Sequence, residues 1–411
     1  MSKSYIVATG DTFELIARKQ YGEETQAGRI ASANPGASEP LVAGTQLVIP
    51  DQPNAPKDAP QQAQAGNENE VAVLIDGERF RFWESIRITR SIDGMDTLEF
   101  SAPFESELKK FRETFRPFSY RSLVVTVGGS PLFTGTMVGV TPSVSSKRRT
   151  VEVSAYSLPG VLNDCTPPAS AYPIEFTNQG LQEIAASMAS HFGISVQFDA
   201  EQGAVFELVA AGVDEKVLSF LTKIAQQRNL IISSTPAGQL LCQQSVSAGS
   251  PVAVLSQGGS PVLSVAPAFN PQGYYSHVTG IDPVIVGLKG SQFTVKNERL
   301  QAVVRPITFK TPDTSGGSVK ASVDAKAGRM FGAMASYTLE LSTWRDPSGN
   351  LWAPNTTLKL QAPGAMIYTP YEFVIRSVEF SKESNSETAR LNLVIPGAFS
   401  GQIPEALPWD E

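Results

Sequence analysis

Hydrophobic and polar residues alternate with a period of two along much of the chain between residues 71 and 165. In the clearest stretch, Val151, Val153 and Ala155 fall on one face of a strand and polar residues fall between them. Such alternation predicts antiparallel strands with one buried face. Turn pairs separate the runs at Asp76-Gly77, Asp93-Gly94 and Gly128-Gly129. Short strands at this spacing predict a barrel-like β domain over residues 71–165.

The pattern changes to a helical period between residues 166 and 245. Apolar residues recur at helical spacing at Leu181, Ile184, Ala185 and Met188, and again at Val217, Leu221 and Ile224. We expect Asn178 to cap the first helix and Asp214 to cap the second, with Gly193 ending the first. The strand-like runs ISVQF, LIISS and QLLCQ accompany the helices, and a turn at Pro236-Ala237-Gly238 joins the last two into a hairpin. This region is predicted to be an α/β insert domain.

The strand pattern returns and predicts a second barrel-like β domain over residues 246–400, followed by a tail over residues 401–411. We expect a short helix from Lys326 to Met334. A turn at Asp346-Pro347-Ser348-Gly349 predicts a hairpin that pairs SYTLELSTW with LWAPNTTLKLQ. The runs EFVIRSVEFS and ETARLNLVIPGAF predict the last strand pair. The predicted fold class is a multidomain, mainly β protein with α+β parts.

Residues 1–50 have the predicted order strand, helix, helix, strand. Asp11 is expected to cap the first helix, with Glu14 completing a capping box. The second helix is expected from Glu24 to Ala33, and Asn34-Pro35-Gly36 ends it. The pattern predicts a small βααβ module.

Residues 51–70 separate this module from the rest of the chain. They are rich in Pro, Gln, Asn and Ala and contain no aromatic or β-branched residue. Such a segment cannot bury enough apolar surface to fold alone. It is predicted to be a flexible linker stiffened by its prolines.

Composition argues against several classes of protein. The chain of 411 residues has a formal net charge of -7, whereas a nucleic-acid-binding surface needs a basic face. The two cysteines, Cys165 and Cys242, are far apart and form no CxxC pair. Neither a secretory signal nor an apolar run of roughly 20 residues is visible, so we expect the chain to fold in a cytoplasm.

Known catalytic motifs are missing from the sequence. The only histidines are His191 and His277, and both are expected to be structural. There is neither an HExxH zinc motif nor a phosphate-binding P-loop. Asp93, Asp96 and Glu99 lie near one another, but such residues are typical of a turn and a strand surface. We therefore predict no catalytic residue, no metal site and no cofactor.

Several spaced residues in the first module match a known pattern. In order, they are Tyr5-Ile6-Val7, Gly10-Asp11-Thr12, Ile16-Ala17, Asn34-Pro35, Gly44 and Leu47-Val48-Ile49-Pro50. Together they resemble a LysM domain. The resemblance implies a groove for N-acetylglucosamine-containing glycans such as peptidoglycan, between the loop after the first strand and the loop before the second.

The resemblance maps this groove to six residues: Gly10, Asp11, Thr12 and Phe13 in the first loop, and Asn34 and Pro35 in the second. The same residues also suit helix ends, so two roles stay open. The module docks onto neighbouring subunits, which we favour, or it binds glycan.

Three stretches of the larger region carry a second resemblance. They are PLFTGTMVGVTPSVSSKRRTVEVSAYSLPGVLNDC, then VLSFLTKIAQQRNLIISSTPAGQL, then WRDPSGNLWAPN with the later RLNLVIPGAF. Together they resemble the phage late-control D family, which includes the baseplate hub proteins of myophages such as Mu. That family is similar to the N-terminal part of secretion-system spike proteins.

This second resemblance implies a structural function in a contractile tail or a tail-like particle. It implies a homotrimeric ring that joins a hexameric tail tube protein to a trimeric central spike protein, with other baseplate subunits around it. The expected location is the virion tail baseplate, assembled in the host cytoplasm. DNA would pass through the ring without specific nucleic-acid binding. Because the chain contains no long β-repeat needle, we expect the spike to be another polypeptide.

Two further hypotheses remain alongside the hub. A LysM-anchored peptidoglycan hydrolase would need only two carboxylates, and the chain has 40 acidic residues. A zymogram on peptidoglycan tests this hypothesis. A glycan-binding adhesin would instead retain peptidoglycan binding through residues 1–50.

Overall fold

The structure is a computed structural model, and the chain divides into two compact units, residues 1–62 and 63–411. The described residues are 3–8, 11–21, 27–38, 40–49, 68–146, 148–246, 249–282, 291–300, 302–311, 319–383, 386–396, 398–399 and 406–410. Residues 51–67, most of the predicted linker, lie outside them. Within the described part of the chain, no helix is long and apolar enough to cross a membrane.

The small unit has the predicted βααβ order. Its elements are β1 (Lys3–Ile6), α1 (Phe13–Tyr21), α2 (Ala27–Ala33) and β2 (Gln46–Ile49). The two strands pair antiparallel. The helices close over them around a core of Val7, Phe13, Ile16, Ala17, Ile30, Leu47 and Ile49. The expected start of the second helix, residues 24–26, lies outside the described residues.

The first helix is capped by a different residue from the one predicted. The Leu15 amide donates to Thr12 Oγ1 at 3.2 Å, which is the bond that a capping side chain accepts. The Asp11 carboxylate instead accepts from the Ala8 amide at 2.8 Å, which lies before the helix. The cap assignment to Asp11 was therefore wrong, because its side chain folds back onto the preceding loop.

The first β half of the large unit follows the predicted hairpins. Its elements are β3 (Val71–Ile75), β4 (Glu78–Phe80), β5 (Ser85–Ser91), β6 (Thr97–Pro103), α3 (Lys109–Thr114), β7 (Ser122–Val127), β8 (Ser130–Val144) and β9 (Arg149–Ser157). Hairpins β3–β4, β5–β6, β7–β8 and β8–β9 are all antiparallel. Asp76 and Gly77 both have positive φ, 50° and 81°, as a tight hairpin turn requires.

The α/β insert is also present. Its elements are α4 (Val161–Asp164), β10 (Glu175–Gln179), α5 (Leu181–Ser190), β11 (Val196–Asp199), β12 (Phe206–Ala210), α6 (Val217–Gln227), β13 (Ile231–Ser234) and β14 (Leu240–Gln243). Strands β13 and β14 form the predicted hairpin, and β11 joins β14 in parallel.

The predicted caps of the two insert helices were wrong. The capping positions are Gly180 and Lys216, and neither makes a side-chain cap bond. Asn178 instead lies within β10 with a positive φ of 54°. The residues at both capping positions have an extended backbone and no side-chain cap bond, so a capping side chain is not what starts these helices.

The second β half contains a small α/β module that the sequence pattern did not predict. The half consists of β15 (Val254–Ser256), β16 (Val262–Phe269), β20 (Ala335–Leu341), β21 (Thr357–Ala362), β22 (Ile367–Glu383) and β23 (Ser386–Val394). Between β16 and β20 lie β17 (His277–Ile281), β18 (Gln292–Lys296), β19 (Pro306–Lys310) and α7 (Val319–Met334). β17 is the central strand of this three-stranded sheet, and α7 packs on it. The helix predicted from Lys326 begins seven residues earlier, at Val319.

The predicted hairpin around Asp346 is only half correct. The turn forms, with the Gly349 amide donating to Asp346 O at 2.9 Å. The flanking strands then separate, because β20 pairs with β16 and β23 while β21 pairs with β15 and β22. The indoles of Trp344 and Trp352 each donate to a backbone carbonyl, at 2.8 Å and 3.1 Å. These buried rings fill the space that opens between the diverging strands.

The two β halves are parts of one continuous sheet. β22 pairs antiparallel with β5, so that Phe380 lies opposite Ile88. The hydrogen-bonded path runs β16-β20-β23-β22-β5-β6-β9-β8-β7-β3-β4 within a 13-stranded sheet. Buried residues of both halves form one hydrophobic cluster. The mainly β fold class is confirmed, and the two predicted barrel-like regions share a sheet and a core.

The last residues of the predicted linker are held by the large unit. Arg345 Nε donates to Asn69 Oδ1 at 3.0 Å, and Lys382 Nζ donates to Asn69 O at 3.0 Å. The Gly128 amide donates to Glu70 O at 2.9 Å. Residues 68–70 are therefore ordered against both β halves.

Candidate functional site

In the small unit, the end of β1 is hydrogen-bonded to the residues just before β2. The Val7 amide donates to Thr45 O at 2.9 Å, and the Gly44 amide donates to Val7 O at 2.8 Å. These bonds join the end of β1 to the loop before β2. Val42 in that loop is 72% exposed. The adjoining loops can thus contact a ligand or a neighbouring protein.

Asp11 is fully engaged within its own unit. Its carboxylate accepts from Tyr5 Oη at 2.8 Å and from Lys19 Nζ at 2.6 Å, as well as from the Ala8 amide. These three donors, the Lys19 ammonium foremost, lower the pKa of Asp11 to about 2. Because only 6% of the residue is exposed, its first role is to hold the loop after β1.

Asn34 acts as a clamp between α2 and β2. Its side-chain amide donates to Ile30 O and to Val48 O, both at 2.8 Å. It also accepts from the Val48 amide at 2.8 Å. Asn34 therefore satisfies both backbone groups of Val48, in the way that a neighbouring strand would.

The other predicted groove residues divide by exposure. Phe13 is buried in the core, Thr12 is half-buried and caps α1, and Pro35 is exposed. Gly10 lies outside the described residues. Of the six predicted residues, Pro35 is thus the one whose described side chain has no evident task in the fold. The assignment of these six to a groove stays a prediction.

The residues most suited to chemistry in the large unit are not arranged for it. Burial raises the pKa of the Cys242 thiol to about 12, which keeps it protonated and unreactive. His277 Nδ1 lies 3.0 Å from Ser276 Oγ. Among the described residues, no group of three or more His, Cys, Asp or Glu side chains could hold a metal ion.

Asp96 has a structural task that the sequence pattern did not reveal. Its side chain is 1% exposed and lies 3.2 Å from Arg90 Nε. Its backbone amide donates to Ser234 Oγ of β13 at 3.0 Å. Burial raises its pKa to about 6, against the opposing effect of Arg90. Asp96 therefore connects the β5–β6 turn to the insert.

Asp93 and Glu99, which are near Asp96 in sequence, have other partners. Asp93 accepts from Arg376 of β22 at 2.9 Å. Glu99 is exposed and lies 3.8 Å from Arg87. The three acids thus do not converge on one point as a pair of catalytic carboxylates would.

The chain is similar to structural proteins of phage tails. Residues 5–50 match the family model of the LysM domain. Residues 159–244 match the model described as baseplate hub protein gp44-like, second domain. The chain therefore carries a LysM domain and a gp44-like hub domain.

A particular relative extends this similarity to most of the chain. Baseplate hub protein gp44 of Escherichia phage Mu is 20% identical over 348 residues, which span 79% of this chain and 87% of gp44. The resemblance to baseplate hub proteins is confirmed. The prediction of a structural protein rather than an enzyme is confirmed by what these relatives are.

Solved structures show the same fold. The 43 kDa tail protein of prophage MuSo2 from Shewanella oneidensis has a TM-score of 0.69 at 22% identity, over 80% of this chain and 99% of that one. The tail protein from Neisseria meningitidis MC58 has a TM-score of 0.66 at 18% identity, over 80% and 98%. The E. coli c3393 protein, a component of the type VI secretion system, has a TM-score of 0.50 at 10% identity, over 78% and 76%.

Proposed function

We propose that this chain is the hub of a contractile tail baseplate, in which three copies form a collar between the hexameric tail tube and the trimeric central spike. The observation that carries the proposal is the pairing of β5 with β22, which joins the two β halves in one sheet. Three such chains present six β halves. A collar of this kind offers six similar units to the tube and three identical chains to the spike.

The surface charge is compatible with this location in the virion. The net charge of -7 disfavours adhesion of nucleic acid to the collar. DNA would therefore traverse the bore without a specific contact. The hub would be assembled in the host cytoplasm with the tube protein, the spike protein and other baseplate subunits.

We assign the LysM domain first to docking within the baseplate and second to peptidoglycan binding. Docking is favoured because three of the six predicted groove residues, Asp11, Phe13 and Asn34, stabilise the fold of the domain. Fewer of the six are then available to contact a glycan. The loop before β2, which carries the exposed Val42, would supply contact surface in either case.

The collar is tested by the mass of the purified protein in solution, alone and with its candidate spike protein. Light scattering should give 132 kDa, three copies of the 44.0 kDa chain, for the protein alone, or that mass plus the mass of the bound spike protein for the mixed sample. A monomer in both samples would contradict the collar.

The glycan role is tested by co-sedimentation with insoluble peptidoglycan. If it is correct, the full chain should sediment and a chain without residues 1–50 should not. Pro35→Asp should weaken binding, whereas Gln20→Asp should not, because Gln20 is exposed on α1 and lies outside both loops. Equal sedimentation of all these proteins would leave docking as the role of the domain.

A further inference from the structure

The chain between β16 and β20 is basic, whereas the chain as a whole is acidic. Residues 270–334 contain eight Lys and Arg against four Asp and Glu, which gives a net charge of +4. The whole chain has a net charge of -7, so the other residues together carry -11. Such a charge asymmetry within one chain points to an anionic partner for the basic part.

The module of β17–β19 and α7 has one sheet face covered and the other open. Val278, Val295 and Ile307 lie opposite one another in the ladder and pack beneath α7. Their neighbours along each strand point to the opposite side of the sheet. That side, here called the outer face, consists of His277, Thr279, Ile281, Gln292, Thr294, Lys296, Pro306, Thr308 and Lys310. All nine residues are exposed or half-buried.

The outer face carries positive charge and contains no acidic residue. Lys296 lies opposite His277 at one end of the ladder, and Lys310 lies opposite Ile281 at the other. The usual spacings of strands and residues in a sheet put the Cα atoms of the two lysines about 16 Å apart. Three threonine hydroxyls lie between them and add neutral hydrogen-bond donors.

The ammonium groups of Lys296 and Lys310 have no partner within the described part of the chain. Two lysines of α7 are occupied instead. Lys320 pairs with Asp324 at 2.5 Å, and Lys326 lies over an aromatic ring on the covered face. Lys296 and Lys310 can therefore bind an anion without breaking an existing ion pair.

The exposed face of the large sheet has a different charge pattern. Arg87 of β5 lies 3.8 Å from Glu99 of β6 and 3.9 Å from Glu379 of β22. Arg390 of β23 lies 3.4 Å from the same Glu379. Opposite charges are interspersed there, an arrangement typical of a solvated surface. The outer face of the module lacks this compensation, so its charge favours binding of an anionic partner.

The residue types of the outer face fit the carboxylates of a protein better than a nucleic acid. Single-stranded nucleic acid is bound by aromatic rings that stack on its bases, but Phe293 and Phe309 lie on the covered face. The outer face has no Arg, the side chain best suited to phosphate recognition. Ile281 and Pro306 add apolar contact area, which protein interfaces combine with polar groups.

The shape of the module favours an extended segment over a small molecule. A cavity of about 20 Å³ lies between the sheet and α7, on the covered face. Small molecules bind in concave sites, whereas a segment of chain can lie along an open sheet face. In an extended chain, carboxylates about five residues apart would span the roughly 16 Å between the two lysines.

We propose that the outer face of the module binds an acidic, extended segment of a partner protein. One carboxylate of the segment pairs with Lys296 and a second pairs with Lys310, and the threonine hydroxyls donate to groups between them. This inference goes beyond the proposed collar and does not depend on it.

Binding is measured by fluorescence anisotropy with a labelled peptide of about twelve glutamates, which is long enough to span the outer face. The full chain should bind this peptide and should not bind a peptide of the same number of glutamines. Binding should weaken as the salt concentration rises, because exposed charges are screened by salt.

A double variant tests whether the outer face is the binding site. Lys296→Glu combined with Lys310→Glu should weaken binding of the glutamate peptide about tenfold or more, because two attractive contacts become repulsive. The matched control is Lys109→Glu combined with Lys216→Glu, which changes the net charge equally at two other exposed lysines. The control should bind nearly as tightly as the wild type. Denaturant midpoints close to that of the wild type would establish that both variants are folded.

Three results would overturn the proposal. The first is a wild type that does not bind the glutamate peptide. The second is equal weakening in both double variants, because net charge and not the outer face would then govern binding. The third is tighter binding of a DNA duplex through the same two lysines, which would assign the face to nucleic acid. None of these measurements requires assembly of the collar, so each result leaves that proposal unaffected.

Discussion

Asn34 and Asp96 show that the same residue types serve folding and function, and that sequence position alone does not separate the two. Asn34 falls where a LysM groove residue is expected, yet its side chain satisfies the backbone of Val48. Asp96 has the sequence context of a turn residue, yet it is buried beside Arg90. The LysM pattern was predictable because its residues are close in sequence. One partner of Asp96, Ser234, lies 138 positions away along the chain.

Asn34→Ala is expected to destabilise the LysM domain by about 1–3 kcal/mol. The change removes the acceptor of the Val48 amide and the donor to the Val48 carbonyl, and unpaired backbone groups are costly. Hydrogen exchange at Val48 should accelerate relative to the wild type. Ser38→Ala, at an exposed position of the same unit, is the control. Unchanged exchange at Val48 in Asn34→Ala would show that the hydrogen bonds of Asn34 contribute little to the stability of the domain.

Asp96→Asn is expected to change how stability depends on pH. Because the pKa of Asp96 is raised to about 6 in the folded protein, its ionisation opposes folding. The stability that protonated Asp96 provides is present below about pH 4 and is lost as pH rises through about 6. The variant does not ionise there. Its stability relative to the wild type should therefore increase by about 2 kcal/mol between pH 4 and pH 7.

The measurement for Asp96→Asn is denaturant unfolding of both proteins at several pH values. The difference between the two proteins cancels the pH dependence of all other groups. A flat difference for Asp96→Asn would contradict the burial cost assigned to this carboxyl.

At the scale of elements, local sequence signals predicted the hairpins correctly. They did not predict which distant strands pair with each other. The hairpins with glycine turns formed as predicted because the turn fixes which strands meet. The turn at Asp346 also formed, but its flanking strands do not pair with each other. β20 pairs with β16, and β21 pairs with β22. The module of β17–β19 was missed because its strands are only five residues long and are separated by long stretches of sequence. Gly328 and Gly332 interrupt the helical pattern of α7.

Gly280→Ala should destabilise the module of β17–β19 and α7. A Cβ at Gly280 would lie 2.5 Å from Val323 Cγ2 and 2.9 Å from Thr311 Cγ2, so α7 would have to move away from the sheet. We expect a loss of about 1–3 kcal/mol in the free energy of unfolding. Val323→Ala creates space on the helix side at its own cavity cost.

The double variant tests whether the contact is the cause. The losses from Gly280→Ala and Val323→Ala should sum to more than the loss in the double variant, because the second change relieves the first. The free energies of unfolding of the two single variants and the double variant are measured by denaturant unfolding. Additive losses would show that Gly280 and Val323 do not share this contact.

At the scale of the whole molecule, the sequence pattern does not reveal that the two β halves are continuous. Composition and linker chemistry separate the LysM region from the rest, which agrees with the two compact units. The sharing of one sheet by the two β halves depends on β5 and β22, which are almost 300 residues apart. A sequence pattern reports a strand's buried face and says nothing about its distant neighbour.

The two β halves should therefore unfold together. Phe380 is fully buried, lies opposite Ile88 of β5, and packs its ring 5.3 Å from that of Trp344. Phe380→Ala is expected to cost about 3–5 kcal/mol. Hydrogen exchange should show protection decreasing in β9 of the first half as well as in β23 of the second. Loss of protection in β23 alone would show that the halves unfold independently.

The anchorage of residues 68–70 has a mechanical consequence. Arg345 and Lys382 hold Asn69 from the second β half, and Gly128 holds Glu70 from the first. Tension on the tether that leads to the LysM domain thus reaches several side-chain and backbone bonds before it reaches the ladder of β3. The load is divided between both halves of the sheet. If the chain is the proposed hub, a sudden pull during tail contraction would strain the bonds to Asn69 and Glu70 first and leave the strand pairing in place.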